Sequence, residues 1–195
     1  YLPQVLALTG KTDEKLERIM ILGGGRIGRG LAEKLEKKVE VTLIESNREK
    51  SIQIASQLKR TFVYQADGTE IDTLAREGLL NMDAFIAVTS DDEINILSCL
   101  LAKHLGIHKT IALVNKQTYL PLLPVIGIDS TVNVRIATGS AILRFIRRGA
   151  ILSAATLHGI DAEAIEFEIP KSNKLVGKPL KELGLPRGAI IAAIV

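Results

Sequence analysis

An α/β fold built on a doubly wound, mostly parallel sheet follows from three features of the sequence. From Arg18 onward, short apolar runs alternate with segments whose apolar residues recur at helical spacing. Hydrophobic residues reach 47% of the 195, yet aromatics are only 4%, so the core must be built from Ile, Leu, Val and Ala, as in sheets buried on both faces. The first apolar run, Ile19-Met20-Ile21-Leu22, leads straight into Gly23-Gly24-Gly25-Arg26-Ile27-Gly28. A G-x-G-x-x-G between a strand and a helix is the Rossmann-like arrangement that takes a dinucleotide.

Residues 1–17 stand apart. Apolar Leu2, Val5, Leu6 and Leu8 precede a polar run from Gly10 to Lys15, which reads as the tail of a preceding element and a linker. Residues 18–136 form the nucleotide-binding domain. Its strands are expected over 19–22, 40–45, 61–65, 84–88, 110–114 and 131–134, the third being rich in β-branched and aromatic residues. Its helices are expected over 26–37, 48–58, 71–77 and 93–105, with a short one around 119–125. Gly78 and Gly106 stop the third and fourth helices. With the glycine loop after the first strand, the expected strand order is 3-2-1-4-5-6. A helix over 137–148 leaves this sheet and defines a crossover segment, 137–149. Its apolar face is Ile142, Phe145 and Ile146, and Arg144, Arg147 and Arg148 suit the negative end of its dipole. It either caps the domain or bridges two subunits. Residues 150–195 read as a truncated, small α+β second domain. Strands are expected over 154–157, 164–169 and 189–195, with a turn region at 173–177 and one helical turn at 179–183.

Charge and cysteine content narrow the function classes. A net charge of +3, with no basic stripe interleaved with stacking aromatics, argues against nucleic acid as partner. One Cys excludes an internal disulfide and fits a reducing compartment such as the cytoplasm. No apolar run reaches membrane-spanning length, and Tyr1-Leu2-Pro3 does not open a signal peptide. The chain opens without Met, as a processed or excised piece would.

The glycine loop points to a phosphate-bearing ligand. Gly23 permits a tight turn, Gly25 lets backbone approach a pyrophosphate, and Gly28 lets the helix pack against the strand. The helix start, with Gly24, Arg26 and Ile27, offers free N–H groups and a positive dipole end. Glu45, ending the second strand twenty residues after Gly25, is placed to accept hydrogen bonds from ribose hydroxyls. It would repel a 2′-phosphate, which favours NAD over NADP, although Arg48 nearby softens that argument. Asp67 and Gly68 follow the third strand, where Asp67 would reach an adenine amino group or cap the next helix. Thr89-Ser90-Asp91-Asp92-Glu93-Ile94-Asn95 follows the fourth strand across the switch point. There Glu93 and Asn95, in the first turn of the helix, would face a second ribose or terminal phosphate, with Thr89 also in the cofactor site; the acidic group would hold a cation beside it, or the segment simply caps a helix.

Groups for chemistry are missing. His104, His108 and His158 follow no strand end on the ligand edge, Cys99 sits in an apolar helix, and no Cys/His spacing suggests zinc. A nucleotide site without catalytic residues points to a sensor, in which nucleotide shifts a conformational equilibrium. The alternative is an NAD-dependent oxidoreductase fragment whose catalytic part lies elsewhere.

Several motifs in order carry a family likeness. Residues 19–28, Thr42-Leu43-Ile44-Glu45, Ala66-Asp67-Gly68-Thr69 and the run from Ala87 to Asn95 resemble the N-domain of the RCK (regulator of K⁺ conductance) family. Ala102-Lys103-His104-Leu105-Gly106 and Gly127-Ile128-Asp129 fit the same pattern, and Val176-Gly177-Lys178-Pro179-Leu180 resembles the start of an RCK C-domain. The resemblance implies a non-enzymatic regulator of Trk-type potassium uptake. It would bind NAD (NADH or NAD⁺) or ATP/ADP and pass the ligand state to a membrane channel or transporter subunit from the cytoplasmic side, without inserting in the membrane. It implies homo-oligomers, dimers or higher rings, with 137–148 as the crossover helix. It also implies a tandem chain, of which this is the second half and residues 1–17 the tail of the first. One departure stands out: where the family often carries a fifth-strand Arg, this chain has Leu113, with Lys116 as the nearest cation.

Overall fold

The computed structural model describes residues 16–146, 151–156, 163–184 and 187–191. These fall into two compact units that divide between Ala137 and Thr138. In the first unit six parallel strands form one sheet in the order β3-β2-β1-β4-β5-β6. The strands are β1 (Arg18–Leu22), β2 (Glu40–Glu45), β3 (Phe62–Gln65), β4 (Ala84–Ala87), β5 (Lys109–Leu113) and β6 (Ser130–Val132). Between them run α1 (Arg26–Leu35), α2 (Arg48–Gln57), α3 (Ile71–Arg76) and α4 (Asp92–His104).

Period-two alternation along the strands sorts the core into two layers. Ile19, Ile21, Val41, Leu43, Ala84 and Ile86 pack with Ala32 of α1 and Ile54 of α2. Met20, Leu22, Ile44, Phe85 and Ala87 pack on the opposite face with Leu74 of α3 and Cys99 and Ala102 of α4. Both faces of β1 are therefore covered, which is why its sequence is a continuous apolar run. Cys99 is fully buried here, and loss of solvation pushes its thiol up to about 12.

Register brings the site together. Leu22 pairs with Ile44 on one side and Ala87 on the other. Gly23, Glu45 and the residues after β4 therefore leave the sheet at one level, on either side of the β1–β4 switch point.

Most expected elements form within one to three residues of their expected ends, and the departures have physical reasons. No helix forms over 119–125. Pro121 and Pro124 lack the N–H groups a helix needs, and the segment closes as successive turns. The crossover helix, α5 (Val134–Ile146), starts three residues earlier than expected because Asn133 caps it, accepting the Ile136 N–H at 3.0 Å. Arg147 and Arg148 lie outside the described residues.

In the second unit β7 (Ile151–Thr156) and β8 (Glu163–Phe167) pair antiparallel, starting and ending earlier than expected. Turns occupy 171–177 and a 3-10 turn covers Leu180–Glu182, as the sequence suggests. Residues 189–191 are not a strand, and 192–195 lie outside the described residues.

Candidate functional site

A crevice of about 430 Å³ opens at the carboxyl ends of β1, β2, β3 and β4. Gly23, Gly25, Glu45, Asp67, Gly68 and Thr89 line it, as the sequence leads one to expect.

The glycines divide into two kinds. A Cβ on Gly28 would lie 1.9 Å from the Gly23 carbonyl oxygen, so this residue lets α1 pack down on the loop. Gly23 has φ +104° and a Cβ there would meet the Thr89 nitrogen at 2.9 Å. A Cβ on Gly24 would strike Ile54 Cδ1 at 2.4 Å, and one on Gly68 would strike Leu22 Cδ1 at 2.3 Å. Gly23 and Gly28 are thus required by backbone contact, while a side chain at Gly24 or Gly68 would force the ends of Ile54 or Leu22 to move. Gly25 is different. It has an ordinary φ of −66°, and a Cβ would meet nothing within 4 Å. Neither backbone nor packing demands glycine at this crevice-lining N-cap of α1. Its lack of a side chain leaves the free N–H groups of the helix start open to the crevice.

Glu45 is half-buried and already held by backbone. Its Oε2 accepts the Gly24 N–H at 3.0 Å and its Oε1 accepts the Asn47 N–H at 2.8 Å. Oε1 also accepts the Ser46 hydroxyl at 3.4 Å, while Oε2 keeps a lone pair for a further donor such as a hydroxyl on the crevice side. Asp67 accepts from the Thr69 N–H at 2.9 Å and the Thr69 hydroxyl at 2.8 Å, and the Thr69 N–H is foremost in holding its carboxyl below the usual range. It does not cap α3, which starts after Glu70 with no side-chain cap.

Other expectations are placed elsewhere. Gly24 and Gly28 face inward and do not line the crevice, and Arg26 and Ile27 are exposed on the first turn of α1 outside it. Glu93 is turned away. Its carboxylate pairs with Lys116 and accepts the Tyr119 hydroxyl at 2.9 Å, which together bring its pKa down to about 2. It lines an apolar groove with Leu97, Leu100 and Leu122 instead. Lys116, the candidate stand-in for a fifth-strand Arg, is engaged by Glu93 and lies 5.3 Å from the Tyr119 ring centroid. Asn95 does not face the ligand space but is wholly buried. The acidic group after β4 is dispersed, since Asp91 caps α4 by accepting the Ile94 N–H and Asp92 turns into the protein.

Several polar crevice residues, Ser46, Asn47, Lys50 and Ser90, were not among the expected site residues. Lys50 lines the crevice on the β2 side, whereas Arg48 does not. The signal lay in Asn47, whose side chain caps α2 and so starts the helix at Arg48, placing Lys50 in its first turn. Ser90 lines the opposite side. His104 ends α4 and His108 precedes β5, both at the sheet end away from the crevice. His158 lies outside the described residues. No described helix is long and apolar enough to cross a membrane.

Comparison with known proteins agrees with this fold. Residues 19–134 match the TrkA-N domain family. The chain is 40% identical over 195 residues to the Trk system potassium uptake protein TrkA of Azorhizobium caulinodans, covering 98% of this chain and 43% of that protein. It thus spans less than half the length of that relative. Among solved structures it resembles the GsuK channel bound to NAD, with TM-score 0.60 and 23% identity over 74% of this chain and 26% of that one. It also resembles GsuK bound to ADP, with TM-score 0.58 and 25% identity over 68% of this chain and 35% of that one. The chain belongs to the TrkA-N domain family.

Proposed function

We propose that this member of the TrkA-N domain family is a nucleotide-sensing regulatory module of a potassium-uptake system. In this reading an adenine nucleotide, either NAD(H) or ATP/ADP, binds in the crevice with its diphosphate over Gly25 and the start of α1. Glu45 takes the ribose hydroxyls and Thr89 closes the far side. The module controls a Trk-type membrane subunit from its cytoplasmic face, as part of a homo-oligomer, and catalyses no reaction.

The observation that carries the reading is Gly25, a glycine with no structural need to be one, lining the crevice at a helix N-terminus. Support comes also from the two GsuK structures, one bound to NAD and one bound to ADP. The ligand contributes negative charge and hydroxyl groups. This chain contributes N–H groups, a carboxylate fixed by backbone, and a positive helix end. Binding that favours one conformation over another is sufficient for regulation.

Isothermal calorimetry with NADH, NAD⁺, ATP and ADP tests the proposal. Saturable binding of at least one is expected, abolished by Gly25→Asp, with the nucleotide recovered unchanged after incubation. Heat-silent titrations with all four on folded protein would end the proposal. Turnover of NADH with a second substrate would favour the oxidoreductase alternative.

A further inference from the structure

Three buried polar residues on α4 do a different job from the crevice residues. Asp92, Asn95 and Ser98 recur every third position, so they share one face of the helix. All three are buried, Asn95 and Ser98 completely. Each bonds the backbone of another segment. Ser98 Oγ donates to the Gly68 carbonyl at 2.8 Å. Asp92 Oδ2 accepts the N–H groups of Asn115 at 2.9 Å and Lys116 at 2.8 Å. Asn95 Oδ1 accepts from the Thr89 N–H at 2.9 Å and the Thr89 hydroxyl at 2.7 Å, while its Nδ2 donates to the Leu113 carbonyl at 2.9 Å.

The chain of bonds continues beyond β5. Asn133, 7% exposed, donates from Nδ2 to the Val114 carbonyl at 2.9 Å and the Asn115 carbonyl at 3.0 Å. Its Oδ1 is the acceptor that caps α5. A continuous path of side-chain-to-backbone bonds thus runs from Thr89 on the crevice wall, through Asn95 and Asp92, to the end of β5. From there Asn133 carries it to the first turn of α5. Buried polar groups lose much by being unpaired, so such bonds shift together rather than one at a time.

We infer that Asn95 and Asn133 are positioning residues that couple occupancy of the crevice to the start of α5. The inference rests on the nucleotide-binding reading above and adds the route by which the signal leaves the site. Ligand contact at Thr89 fixes the β4–α4 loop. Asn95 and Asp92 transmit that restraint to Leu113, Asn115 and Lys116, and Asn133 passes it to the N–H of Ile136.

Hydrogen exchange on the intact protein, with and without NADH or ADP at concentrations that calorimetry shows to saturate, tests the route. In the native protein the ligand should slow exchange at Asn115, Lys116 and Ile136 by at least about fivefold, the lower end of ordinary coupling between sites. Asn133→Asp keeps an oxygen to cap α5 but replaces the donor to two carbonyls with a carboxylate. In that variant nucleotide should still bind and still protect Asn115 and Lys116, while the protection at Ile136 is lost. Asn133→Ser, neutral and able to cap, decides the matter if the aspartate variant does not fold. Two results would overturn the inference: binding without protection at Ile136 in the native protein, or full protection at Ile136 in the variants. Absence of binding by either nucleotide would remove the reading beneath it, and calorimetry separates that failure from a failure of the relay.

Discussion

The two walls of the crevice are built on opposite principles. On the β1–β2 side the chain makes room by omission, with glycines at 23, 24, 25 and 28 and a carboxylate held by two backbone N–H groups and the Ser46 hydroxyl. On the β4–α4 side it fills space with Asp92, Asn95 and Ser98, buried polar side chains that bond to backbone. The first wall presents backbone to the solvent space. The second turns its polar groups inward and presents little more than Thr89, Ser90 and Asp91. In the proposed reading, recognition and connection are separated across one switch point, and a substitution should report which wall it belongs to.

The largest expected effect breaks the first wall as structure. Gly28→Ala puts a methyl 1.9 Å from the Gly23 oxygen, and overpacking against backbone costs on the order of 3 kcal/mol, to be read from urea unfolding. Next comes the second wall. Asn95→Ala strands the Leu113 carbonyl and the Thr89 N–H, at roughly 2 kcal/mol of stability by the same assay.

Gly25→Ala sharpens the contrast within the first wall. Stability should stay within about 0.5 kcal/mol of the native protein, since nothing lies within 4 Å of the new methyl. Nucleotide affinity measured by calorimetry should nevertheless fall by more than about tenfold, or 1.4 kcal/mol. Equal losses in both assays would mean that Gly25 belongs with Gly28 after all.

The smallest effect lies outside both walls. Glu93 has its folded pKa depressed from the ordinary 4.5 to about 2, foremost by Lys116 and then by Tyr119. A depressed carboxylate stabilises above the unfolded value and loses that contribution as pH falls from 4.5 toward 2. The pair is exposed, so Glu93→Gln should leave the urea midpoint unchanged at moderate salt and flatten the acid limb only slightly at low salt.

How far the sequence carried the reading differs between the walls in the same way. Glycine spacing and the Glu45 position are local signals, and both lead to residues that line the crevice. The strand order follows from the placement of the glycine loop and is observed as expected. The inward roles of Asp92 and Asn95 depend on Leu113, Asn115 and Lys116, some twenty residues away, so no local pattern near α4 shows what they bond. The available hint was the spacing of three polar residues along one face of a mostly apolar helix. The same limit applies to Lys116, whose pairing with Glu93 depends on how the chain turns after β5. Over 119–125 the apolar spacing suggested a helix, and two prolines outweighed it.

Cys99 lies on the buried face of α4, packed against the sheet. It is the sole thiol in the 195 residues, and its raised pKa leaves almost no thiolate at neutral pH. An alkylating reagent should therefore reach it only when α4 lifts from the strands. The labelling rate becomes a clock for that opening, native to the chain and requiring no engineered probe. Because α4 anchors Thr89, Gly68 and Asn115, a ligand that fastens the crevice should slow the clock.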